Sequence, residues 1–220
     1  MLGPKLEGLP DNHLSKPKCL YQLSWLFEAV GNRVEYKRLL GHTLTLWRWH
    51  RNNFQVAETL KLLAEANQLL GLYTEGIQQA KEALEIFKQH NSILGQADSL
   101  QQLAQLLYKD NQLDAAEEAA SHSIDLLLGK SQQFRVCQGY RLLGTICHFK
   151  GEPEIAISHL ETALEIVSSS NWHNQEFWIF LSLAQLFLKE CRFDDAQAHV
   201  EHANLHSAND MFFPGQATQL

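Results

Sequence analysis

Near the middle of the chain, the stretch LLLGKSQQ (residues 126–133) contains Gly129-Lys130-Ser131, the closing tripeptide of a phosphate-binding loop. Such a loop needs a further glycine five residues before the Gly-Lys pair, after a strand, so that backbone N–H groups can wrap the phosphates. Ile124 holds that place, and SIDLLLG before the tripeptide reads as the end of a helix. The expected role is local: Gly129 caps a helix C-terminus and Lys130 sits beside its negative end. A second group is His199, His202 and His206, spaced to share one helical face and able in principle to meet one zinc ion. A single straight helix strains such a site, and no cysteine or carboxylate completes it at suitable spacing, so these histidines are expected at the surface or between helices. Cys19, Cys137, Cys147 and Cys191 form no C-x-x-C pair and are expected to be free structural thiols. No serine lies in a G-x-S-x-G nucleophile motif. Glu117–Glu118 and Asp194–Asp195 suit the positive starts of helices better than acid–base chemistry. Neither a catalytic centre, a cofactor nor a metal is expected.

Bulk composition narrows the class further. The 220 residues are 45% hydrophobic and 20% charged, which fits a folded domain with a substantial core. A net charge of −7 with no basic patch argues against nucleic acid as a partner. No apolar run approaches the roughly 20 residues that cross a bilayer, and the start, MLGPKLEGLPDNHLSKPK, is broken by three prolines. A cytoplasmic protein with reduced thiols is the expectation.

The elements that position these residues come from a repeat. A shift of 40 residues aligns Leu23, Leu63, Leu103, Leu143 and Leu183 without a gap. Small residues follow at Ser24, Ala64, Ala104, Gly144 and Ala184, and the next shared position holds Leu26, Ala66, Leu106, Ile146 and Leu186. A turn is expected at Gly31, Gly71, Asn111, Gly151 and Cys191, where glycine or asparagine can take the left-handed backbone that ends a helix. Beyond it stand Tyr36, Gly76, Ala116, Ala156 and Ala196, and later Thr43, Ala83, Ser123, Ala163 and Ala203. Apolar positions three and four apart make each unit a helix, a turn and a second helix. Short side chains allow close approach: Ala116, Ala156 and Ala196 are expected within a pair, and Ala83, Ala163 and Ala203 between pairs. Trp47 aligns with Phe87 and Leu127 as core, whereas Trp172 falls in a connector, as a staple or a ligand contact.

These residues resemble the tetratricopeptide repeat family. The resemblance is carried by LLAEANQLLGLYTEGIQQAKEALEIF (62–87) and LLGTICHFKGEPEIAISHLETALEI (142–166), with weaker copies at 103–127 and 183–203. The period is 40 rather than the usual 34, the extra residues falling in the connectors. HEAT repeats also run to about 40 residues but match the small-residue triplet less well. The resemblance implies an all-α, right-handed superhelical solenoid of about five helix-turn-helix units. Residues 1–18 would be a flexible N-terminal segment, 19–208 the array, and 209–220 the start of a truncated sixth repeat. More narrowly, GNRVEYKRLLGHTLTLWR, LGLYTEGIQQAKEALEIF and DNQLDAAEEAASHSIDLL resemble the repeat arms of fungal signal-transduction NTPases of the NACHT and NB-ARC type.

In the tetratricopeptide family the first helix of each pair lines a concave groove that takes a peptide or a partner helix. The outward positions here are Lys61, Glu65 and Gln68; Gln101, Gln105, Tyr108 and Lys109; Gln138, Arg141, Thr145 and His148; and Leu181, Gln185 and Lys189. This amide-rich, mixed-charge strip suits a peptide backbone, with Lys61, Lys109 and Arg141 able to receive carboxylates. The chaperone-tail clamp of some relatives is not expected, because Glu65 and Gln105 replace its asparagines. The expected function is a non-enzymatic protein-interaction scaffold. The alternative is a structural, oligomerisation or sensor arm packing on a nucleotide-binding signalling domain. Met211, Phe212 and Phe213 stand where a sixth first helix would begin, so self-association through an uncapped end is a further expectation.

Overall fold

The computed structural model describes residues 13–168 and 172–207, with side chains through residue 204. These residues form ten helices: α1 (Ser15–Ala29), α2 (Arg33–Trp49), α3 (Asn53–Leu69), α4 (Tyr73–Gln89), α5 (Ile93–Lys109), α6 (Leu113–Leu127), α7 (Gln133–Lys150), α8 (Pro153–Ser168), α9 (His173–Lys189) and α10 (Phe193–Ser207). Odd-numbered helices are the first members of the pairs and even-numbered helices the second. No strand occurs among the described residues. Residues 1–12, and Met211, Phe212 and Phe213, lie outside them.

The turns explain why the helices stop where they do. Gly31, Gly71, Asn111, Gly151 and Cys191 all have positive φ, between 57° and 83°. Each closes the same double hydrogen bond. At the first turn Gly31 N–H donates to Glu28 O (2.8 Å) and Asn32 N–H to Phe27 O (2.8 Å); at the last, Cys191 N–H donates to Leu188 O (3.2 Å) and Arg192 N–H to Phe187 O (2.9 Å). This left-handed cap satisfies carbonyls that the helix end leaves unpaired. Connectors between pairs use the same device, with Arg51 and Asn91 at φ 52°. Side-chain caps then start the next helices: Asn32 accepts from Glu35 N–H and Asn52 from Gln55 N–H, each at 3.2 Å.

The connector holding Gly-Lys-Ser departs from this rhythm. Helix α6 has 15 residues where α2 and α4 have 17, and its left-handed residue is Gly129 at φ 72°. Lys130 Nζ donates to the Leu126 carbonyl in the last turn of α6. Gly129 therefore caps a helix and Lys130 neutralises its end, as expected from the sequence.

The contacts divide the chain into two compact units, residues 1–123 and 124–220. In the first, Leu40, Trp47, Ala57, Leu60, Leu63, Ala66, Ala83 and Phe87 are buried in one cluster. In the second, Cys137, Cys147, Ala156, Leu160, Ala163, Ile179, Leu186 and Ala196 form another. Small residues set the helix spacing in both. A Cβ on Gly76 would lie 3.2 Å from the Ala64 carbonyl of its own hairpin, and one on Gly144 would lie 3.1 Å from the Ala156 carbonyl. That is the close approach expected within a pair. The later small position also serves within a pair, while Ala163 shares its buried cluster with Ile179 and Leu183 of the next pair. Ser123 Oγ donates to Ala97 O (2.9 Å) and Cys137 Sγ to Ala163 O (3.7 Å), so positions 123 and 163 meet the first helix of their own hairpin. The cause is that two antiparallel helices touch at both ends of one seam, and each end needs a short side chain.

Candidate functional site

Along the first helices a partly buried stripe follows the apolar face, three or four residues apart. In the first unit it comprises Glu58, Lys61, Glu65 and Gln68 on α3, and Asp98, Gln102, Gln105 and Tyr108 on α5, with Gln101 buried beside them. Lys109 is exposed. In the second unit Gln138, Arg141, Thr145 and His148 on α7 are partly buried, as is Leu181 on α9, while Gln185 and Lys189 are exposed. Half-burial arises because adjacent first helices lie side by side and each shields the other's polar row.

Within the first unit the stripe is cross-linked. Lys61 Nζ lies 3.2 Å from Glu58 and 3.4 Å from Asp98, and 5.8 Å from the centre of the Phe87 ring. Gln102 Nε2 donates to Gln68 Oε1 (2.7 Å). Lys109 Nζ rests 5.1 Å from the centre of the Tyr108 ring, whose hydroxyl pKa is raised by burial. Glu65 is the stripe's least compensated charge: burial, reinforced by Glu28, raises its carboxyl above the ordinary range, and Lys61 only partly opposes this.

The second unit treats its cation differently. In the repeat register Arg141 corresponds to Lys61, but Gln138 and Trp178 stand where Glu58 and Asp98 would be. The guanidinium Nε is buried with no hydrogen-bond partner among the described residues, and burial lowers its pKa. Thr145 Oγ1 is committed to the Arg141 backbone carbonyl (3.0 Å). His148 is pushed down by burial and then by Lys189, whose Nζ donates to the His148 carbonyl (3.3 Å). Glu58, Asp98 and Gln102 were not among the expected strip residues. Glu58, Asp98 and Gln138 share one register position, so the period itself could have revealed them.

The other chemistry-bearing residues have structural surroundings. His199 stacks on Phe187 with centroids 5.2 Å apart, and His202 stacks on Phe180 at the same distance; Arg192 covers Phe187 from 4.4 Å. These are the inter-helix histidines expected, and the side chain of His206 lies outside the described residues. Cys137 and Cys147 are buried and Cys19 and Cys191 exposed, all as free thiols. Burial pushes the Cys137 thiol up to about 11, away from nucleophilic use. Trp47 is core. Trp172 packs edge-on against Phe134 (5.4 Å) and borders a hollow of about 310 Å³ with Ser131, Gln132 and Gln133.

No protein-family model matches the chain. Among curated proteins it is similar to the Arabidopsis thaliana "Protein KINESIN LIGHT CHAIN-RELATED 1", with 24% identity over 157 residues, covering 70% of this chain and 24% of that protein. The chain thus spans about a quarter of the length of this relative. Two solved structures share its fold. A Podosopora anserina putative kinesin light chain with nearly identical TPR-like repeats gives a TM-score of 0.72 at 16% identity, covering 92% of this chain and all of that one. A Rap protein complexed with Competence and Sporulation Factor gives 0.80 at 16% identity, covering 92% of this chain and 56% of that one. Paired helices, left-handed turns at a 40-residue period and these likenesses together identify a tetratricopeptide-like α-helical repeat fold.

Proposed function

We propose that the chain is a non-enzymatic interaction scaffold whose first helices take a peptide or a partner helix on the concave face implied by the tetratricopeptide resemblance. The observation supporting this reading is the polar stripe that recurs, half-buried, on α3, α5 and α7. Half-buried amides and charges keep hydrogen-bonding capacity while losing part of their water, which suits them to a backbone ligand. A Rap protein solved with Competence and Sporulation Factor shares the fold, which is consistent with such a role. The test is affinity capture from source extract, comparing the wild-type chain with Lys61→Ala/Tyr108→Ala and, separately, with Arg141→Ala. We expect partner recovery to fall about tenfold for at least one variant, the cost of one hot-spot contact. Undiminished recovery with both would sink the reading.

A second reading, a sensor arm packing on a nucleotide-binding domain, is favoured by apolar surface on α2, in the segment resembling the fungal NTPase arms. Val34 is 67% and Trp49 72% exposed there. In the same capture experiment, loss of recovery with Val34→Ser/Trp49→Ser but not with the stripe variants would select this reading.

A further inference from the structure

The cations of the stripe differ in how they are neutralised. Lys61 Nζ lies between the Glu58 and Asp98 carboxylates, at 3.2 and 3.4 Å. Lys109 rests over the Tyr108 ring at 5.1 Å, and Lys189 donates to the His148 carbonyl at 3.3 Å. The Arg141 guanidinium has no ion pair, hydrogen bond or ring contact among the described residues.

The repeat explains the difference. In the first unit one carboxylate stands three residues before the cation and the other on the next first helix. In the second unit, where α7 lies against α9, those two positions hold Gln138 and Trp178. Gln138 has the shape of the glutamate it replaces in the register, so the frame of an ion pair is kept and its charge is missing. Burial makes that loss costly, because Nε has neither water nor an acceptor. The residue as a whole is only partly buried, and Nε alone among its guanidinium nitrogens is both enclosed and unbonded. The two terminal nitrogens therefore stay open to a ligand arriving from solvent.

We infer that Arg141 is the anchor for an acidic side chain, an aspartate or glutamate within a peptide segment of the partner bound on the first-helix stripe. This rests on the scaffold reading proposed above and names the residue its ligand must carry. A planar guanidinium takes a carboxylate through two parallel N–H···O bonds, and the pairing supplies the counter-charge that the chain omits. A chain-terminal carboxylate is a poorer match, because the next donor along the helix is already used. Thr145 Oγ1 donates to the Arg141 carbonyl at 3.0 Å. A lone guanidinium fork fits a single side-chain carboxylate.

The experiment is selection of displayed random decapeptides on the full-length chain, followed by affinity measurement with a selected peptide made both as free acid and as C-terminal amide. We expect aspartate or glutamate to be enriched at one fixed position. Arg141→Met should weaken the peptide at least about tenfold, as should changing its acidic residue to the corresponding amide. Combined, the two changes should cost no more than either alone, the signature of a direct pair. Gln138→Glu restores the carboxylate that Glu58 provides in the first unit, so it should raise the melting temperature while weakening the peptide about tenfold. A purely structural role for Arg141 predicts no such opposition of stability and affinity. Peptides selected without an acidic preference, additive losses in the combined change, or unchanged affinity in Gln138→Glu would overturn the anchor while leaving the scaffold reading intact. Binding of the free acid but not the amide would overturn it in favour of a terminal carboxylate. Failure to select any peptide would overturn both.

Discussion

At the scale of single residues, the Tyr36–Ala66 pair shows how a repeat absorbs an exception. Taken alone, Tyr36 breaks the small-residue rule at its position, and Ala66 breaks the large-residue rule at another. Both are buried in one cluster, and at the corresponding positions Leu106 lies against Gly76. Tyr36→Ala should destabilise the chain by about 3–5 kcal/mol, the range for emptying a large aromatic from a core. Adding Ala66→Leu should recover a large part of that loss, because it restores the arrangement of Leu106 over Gly76. Urea unfolding of the single and double variants checks this, and purely additive effects would show that the two positions do not share a cavity. Both residues were legible in the sequence. Their compensation was not, because the register shows which positions correspond and not which positions touch.

Among the elements, the turns are the most instructive. The sequence predicts five left-handed positions, and all five have positive φ. At Gly31, Gly71 and Gly151 the residue has no Cβ to resist this, and at Asn111 the side chain tolerates it. Cys191 keeps the same backbone, φ 57°, with no such allowance. Cys191→Gly should therefore stabilise the α9–α10 hairpin by about 1 kcal/mol, the cost of a left-handed non-glycine residue. Gly129→Ala should destabilise by a similar amount, about 1 kcal/mol, for the converse reason. Thermal melts of the two variants should shift in opposite directions. Lys130→Ala should leave ATP and GTP binding undetectable, as in the wild type, because Lys130 is occupied with the Leu126 carbonyl. Nucleotide binding by the wild type, lost in Lys130→Ala, would restore the phosphate-loop reading.

For the whole molecule, the two units carry opposite dependences on pH. In the first, Glu65 has a raised pKa, so the native state keeps a proton where the unfolded chain has lost it. Stability of that unit falls as pH climbs from the ordinary carboxylate range through the folded value. In the second, burial and then His202 lower the pKa of His199, so between the folded value and about 6.5 the unfolded chain binds more protons. Stability there falls as pH drops through that window. Hydrogen exchange followed across pH should show α3 protection declining towards neutrality and α10 protection declining towards acid. Glu65→Gln should flatten the first trend alone and His199→Gln the second. A single trend shared by both units, unaffected by either variant, would contradict the assignment.

The period of 40, the helix–turn–helix unit and the seats of the small residues were all determined by the sequence alone. Each depends on local rules: three-to-four spacing of apolar residues, backbone freedom at a turn, and short side chains where helices meet. The candidate stripe was legible as a set of positions for the same reason. Its chemistry was decided by tertiary structure. Lys61 meets Asp98 across 37 residues, whereas Arg141, at the matching place, has an amide and an indole in the register of those carboxylates. Charge compensation depends on which side chains from separate helices come within a few ångströms, and a linear pattern fixes only which face each one occupies.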